Sequence, residues 1–138
     1  MISTPLAQQL REAGLTWTPV SGDAFQVAGH EFEGDVFTVS DMTIEAHTFS
    51  TGTVLGFNGT TEWALDSVAL DDVVWLPRED QLRDALGAAF VAMERVDGAS
   101  GVEYDVTVTV DGDSVIFVSE DPAESYGMAL LALLQSVR

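Results

Sequence analysis

The chain has 138 residues, 46% of them apolar, and carries 23 Asp and Glu against five Arg and no Lys, a formal net charge of −18. Its length sits near the commonest domain size and its apolar fraction is ordinary, which predicts one folded domain over residues 1–138. The negative field argues against direct nucleic-acid binding and against anionic membranes, and the missing lysines and cysteines exclude Schiff bases, phosphate-loop nucleotide sites, thiol catalysis and cysteine-ligated metals.

Residues 4–14 predict a helix, with Thr4 as N-cap, Pro5 in the first turn, Leu6, Leu10 and Ala13 on one face and Gly14 as the stop. From Leu15 to Phe57 the period shifts towards two. Phe25, Val27, Val36, Phe37, Ile44, Phe49, Val54 and Leu55 alternate with turn signals at Ser21-Gly22-Asp23, Glu33-Gly34 and Ser50-Thr51-Gly52. The pattern predicts a meander of four or five short antiparallel strands, with Met42, Ile44 and Ala46 on one face.

Residues 56–67 follow, opened by the Asn58-Gly59 turn signal and holding Trp63. A helical turn and a continuing strand are equally compatible with them. Val73-Val74-Trp75-Leu76 predicts a buried strand or extended entry, closed by Pro77. Residues 78–95 predict a helix, because Leu82, Ala85, Leu86, Ala89, Phe90 and Met93 recur at helical spacing after Glu79 and Asp80. Next comes a loop over 97–101, then a hairpin. In it Val102, Tyr104, Val106, Val108 and Val110 alternate with Glu103, Asp105, Thr107 and Thr109, and Asp111-Gly112 turns the chain into 114–119. Asp121-Pro122-Ala123-Glu124 is an acidic variant of the capping box that opens a final helix, with Tyr126, Ala129, Leu130, Leu133, Leu134 and Val137 on its apolar face. The order predicts an α+β fold: an antiparallel meander or sheet with three α-helices packed mainly on one side.

No constellation carries an enzyme signature. Glu45 and His47 would share a strand face, but two histidines without a third close ligand do not make a metal site. Asp111-Gly112-Asp113 with Glu120 and Asp121 lacks the calcium-loop spacing and reads as a hairpin turn. Carboxylate pairs are too numerous for spacing alone to single out an acid–base couple. The sequence therefore points to no catalytic residue, no metal and no cofactor. The candidate interaction residues are Asn58, Trp63, Asp66, Trp75 and Arg78, since Trp and Arg are favoured interface anchors. The competing structural role for Trp63 and Trp75 is to pin the central loop to the core.

The stretches Gly56-Phe57-Asn58-Gly59-Thr60-Thr61-Glu62-Trp63-Ala64-Leu65-Asp66-Ser67 and Trp75-Leu76-Pro77-Arg78-Glu79-Asp80-Gln81-Leu82 resemble a family of small acidic actinobacterial proteins of unknown role. Members are sometimes labelled automatically as pilus-assembly proteins. The second stretch is also similar to one in small prophage-encoded proteins. The partitioning-type ATPase that the pilus label suggests needs a phosphate-binding lysine, which this chain lacks. The resemblance implies a compact α+β domain and supplies no catalytic residues.

Two functional expectations follow. The first is a cytoplasmic, non-enzymatic, acidic domain that binds a basic protein as an adaptor, inhibitor or immunity-type factor, with no nucleic-acid or membrane partner. The second is a small-molecule-binding domain or hydrolase with its pocket between the sheet and the 78–95 helix. The cytoplasm is expected because no basic region followed by an apolar run opens the chain and the longest such run, Met128–Leu134, is too short to span a bilayer. Monomer and homodimer both remain open.

Overall fold

The computed structural model describes residues 1–27, 35–39, 44–49, 52–57, 67–69 and 73–137. The fold is α+β, and the chain divides into two compact units: Met1–Thr16 with Pro77–Arg138, and Trp17–Leu76.

The first unit opens with α1, Thr4–Glu12. Ser3, one residue before the expected cap, is the N-cap: its Oγ accepts from the Leu6 N–H. Thr4 is already helical, so Pro5 sits where a missing N–H costs nothing. Helix α2 is Glu79–Leu86, and the helix expected over 78–95 ends there. Gly87 takes φ 55°, ψ −130°, a backbone open to glycine and strained for other residues, and after a 3₁₀ turn the chain runs on as a strand.

Three strands make one antiparallel sheet in the order β7 (Phe90–Gly98), β8 (Gly101–Val110), β9 (Asp113–Ser119). Val110 pairs with Asp113 across Asp111 (φ 51°) and Gly112 (φ 84°), the paired positive φ values of a two-residue hairpin turn. The expected loop at 97–101 is a second tight hairpin, with Gly98 opposite Gly101. Helix α3, Pro122–Ser136, lies against β8 and β9, and α1 and α2 both pack against α3. Its N-terminal half is accordingly buried on more than one side, at Ala123, Ser125, Tyr126, Gly127, Ala129 and Leu130. The apolar face expected to continue through Leu133 and Leu134 is only half-buried there, and Val137 is 79% exposed.

Local chemistry fixes each end of this packing. The Asp121 carboxylate accepts from the Ala123 N–H at 2.9 Å and caps α3. The Glu124 carboxylate, expected to complete a capping box, instead accepts from the Ser3 N–H and ties the start of α1 to α3. Ser125 is fully buried and its hydroxyl donates to the Tyr104 carbonyl at 2.7 Å, while the Tyr126 ring meets Phe90 at 5.9 Å. Leu6, Leu10, Leu82, Leu86, Val106, Val108 and Leu130 complete the core, each worth about 1.5–3 kcal/mol of burial.

The second unit distributes the expected meander over two three-stranded antiparallel sheets. One has the order β2 (Val36–Thr38), β1 (Ala24–Val27), β6 (Val73–Leu76). The other has the order β3 (Ile44–Phe49), β4 (Gly52–Phe57), β5 (Ser67–Ala69). Phe25 lies opposite both Phe37 and Trp75, so three aromatics cross the first sheet in one row. Val27, Val39 and Val73 pack with them, and Trp17 covers the row. Among the described residues no helix is long and apolar enough to cross a membrane.

Candidate functional site

The sequence-predicted interaction residues divide sharply. Asn58, Trp63 and Asp66 lie outside the described residues. Trp75 is half-buried on β6, its ring nearly parallel to Trp17 at 6.2 Å and 8°, so it serves the core of its unit. Its Nε1 is buried without a hydrogen-bond partner, a donor that the aromatic packing leaves unsatisfied. Trp17 is anchored in turn by Asp23, only 1% exposed, whose Oδ2 accepts from Trp17 Nε1 at 2.9 Å and from the Val20 N–H at 3.1 Å. Arg78 precedes α2, where its backbone N–H donates to Gln81 Oε1 at 2.9 Å and its guanidinium meets Asp80 at 3.2 Å. Both side chains of that ion pair are about half exposed, so the pair contributes little to stability.

A different surface emerges from the register of β7–β8–β9. Residues directly opposite on antiparallel strands share a face. The rows Val106–Phe117 and Val108–Val115 belong to the side that α3 covers, as does Tyr104, whose carbonyl accepts from Ser125. The intervening rows form the outer face: Ala92–Thr107–Ile116, Glu94–Asp105–Val118 and Val96–Glu103. A register shift between Phe90 and Ala92 makes Val91 an extra residue in the edge strand, and it stands 57% exposed. Ile116 and Val118 are 58% and 45% exposed on the same sheet.

This outer face joins two features that a solvated sheet surface ordinarily avoids. Glu94 and Asp105 lie directly opposite each other, which places like charges about 4.5–5.5 Å apart at Cβ and costs roughly 0.2–1 kcal/mol. Asp105 Oδ1 is moreover buried with no hydrogen-bond partner, although its residue is not fully enclosed. Among the described residues no arginine pairs with these acids. Arg95 belongs to the opposite row parity, across from Tyr104, and pairs loosely with Asp97 at 3.6 Å. Glu103 adds a third carboxylate two residues along β8, lying towards Gly98 at the hairpin end, and on β9 Val118 adjoins Asp105.

Sequence reasoning saw half of this arrangement. Alternation in 102–110 placed Glu103 and Asp105 on the polar side of a strand, as found. Glu94 was read as helical and so could not be set opposite Asp105. Gly87, unfavourable inside a helix, was the signal available. The same correction shortens the helical wall expected for a pocket to Glu79–Leu86, because residues 90–95 belong to an edge strand. Among the described residues no group of three or more His, Asp or Glu is arranged to hold a metal ion. No protein-family model, curated protein or solved structure matches this chain, so the chemistry of the site rests on its own geometry.

Proposed function

We propose that this chain is a non-enzymatic protein-binding domain whose partner is a basic protein, acting as an adaptor, inhibitor or immunity-type factor in the cytoplasm. The observation that carries the reading is the group of carboxylates on the outer face of β7–β8–β9, which among the described residues have no cationic partner, beside exposed aliphatic residues in a chain of net charge −18. A field of that size accelerates encounter with positive surfaces and repels phosphate backbones. It also opposes association with a second copy of the same net charge.

The test is capture on the immobilised full chain from native lysate, followed by reconstitution with the purified captured protein at about 50 and about 500 mM salt, where the screening length falls several-fold. The reading requires a saturable complex with a basic protein that weakens steeply as salt rises. Retention of no protein at low salt, or a complex indifferent to salt, contradicts it.

A further inference from the structure

We infer that the outer face of β7–β8–β9 docks an extended segment of the partner in which an arginine and an aliphatic residue sit two positions apart. This inference rests on the proposed basic-protein binding and narrows it to one surface and one chemistry. Glu94 and Asp105 share one row with Val118, and Ile116 follows two residues back along β9. With strands about 4.8 Å apart, the midpoint of the two carboxylates lies about 7 Å from Val118, measured across the strands. Side chains at i and i+2 of an extended chain project from the same side about 6.6 Å apart. An extended segment crossing the strands therefore sets one side chain over the carboxylates and the next over the aliphatic pair.

Charge selects the occupant. The carboxylates repel one another across the row, and a cationic donor set between them relieves that opposition. A planar guanidinium carries several donors in a fixed fork and bridges two carboxylates, which a single ammonium does less well. A metal ion is the weaker alternative, because among the described residues no three-ligand group is arranged for one. A second copy brings a net charge of −18 towards this face.

The experiment titrates the full chain with two fluorescent synthetic peptides by anisotropy at low salt: one alternating arginine and leucine, and one of equal charge with serine for leucine. Two charge-matched triple variants are compared. One changes the face (Glu94→Gln, Glu103→Gln, Asp105→Asn), and the other changes exposed acids elsewhere (Glu79→Gln, Asp84→Asn, Asp111→Asn). The face triple is expected to weaken the arginine–leucine peptide by about tenfold or more and the remote triple by about threefold or less, because nearby charges dominate under screening. Ile116→Ser with Val118→Ser is expected to weaken the leucine peptide and leave the serine peptide unchanged. Equal weakening by both triples overturns the docking surface while leaving basic-partner binding intact. A serine peptide that binds wild type as tightly as the leucine peptide overturns the aliphatic half of the site. Failure of both peptides to bind wild type contradicts the basic-partner reading itself.

Discussion

Replacing Asp105 by threonine should make the free protein more stable, an unusual direction for a change at the centre of a sheet. Asp105 occupies the middle strand, opposite Glu94 on one side and Val118 on the other. Removing its charge relieves a like-charge opposition of roughly 0.2–1 kcal/mol. Removing its buried, unpartnered oxygen relieves about 1 kcal/mol more, the low end of the usual range because the residue is only partly buried. A β-branched side chain adds a few tenths of a kcal/mol in a strand, so the total is about 1–2 kcal/mol. Urea unfolding followed by far-UV circular dichroism gives the global change. Amide exchange at Val106 and Val108, both fully buried beside it, gives the local one. Slower exchange and a higher midpoint, together with weaker binding of the arginine–leucine peptide, identify a residue kept for binding at the expense of stability. An unchanged or lowered midpoint refutes the reasoning, since the carboxylate would then be supporting the sheet.

Three further outcomes test the packing within each of the two units. Asp23→Ala strands the Trp17 Nε1–H and the Val20 N–H in a buried site and should cost about 2–4 kcal/mol, read as a lowered urea midpoint of tryptophan emission. Gly87→Ala adds a methyl group that meets nothing within 4 Å, so its expected cost of about 1–2 kcal/mol comes from the backbone alone. Thermal unfolding checks it, and a neutral result would show that the helix does not have to break there. Gly127→Val drives Cβ against Leu6 Cδ2, 2.7 Å from that position, and Ile2 Cδ1 at 3.0 Å, so it should destabilise by about 1–3 kcal/mol. Combining it with Leu6→Ala in a double-mutant cycle should return a coupling of about 0.5 kcal/mol or more, as expected for side chains in contact.

The parts of the fold legible in the sequence are those governed by local chemistry. Asp111-Gly112 between two alternating runs specified the β8–β9 hairpin, and Asp121-Pro122 marked the start of α3. The end of α2 was illegible because Leu82, Leu86, Phe90 and Met93 keep helical spacing past it, while the bulge at Val91 breaks the alternation that would mark a strand. The torsions of Gly87, and the pairing of β7 with β8, decide for the strand. Strand partition was illegible for another reason. Strand β6 pairs with β1 across a long stretch of chain, and no short-range signal specifies such a partner. The candidate site suffered from both limits. Rare tryptophans drew attention, yet Trp75 is held in an aromatic stack, while the exposed face is built from common Glu, Asp, Val and Ile. Only the register reveals that Glu94 faces Asp105.

The most direct measurement is an amide chemical-shift map of the isotopically labelled full chain on addition of the arginine–leucine peptide at low salt. The account predicts the largest shifts at residues 91–96, 103–107 and 116–118, with the turn at Asp111-Gly112 and helix α2 little changed. Shifts centred on α2, or spread evenly over acidic residues throughout the chain, would contradict the claim that this sheet face is the binding surface.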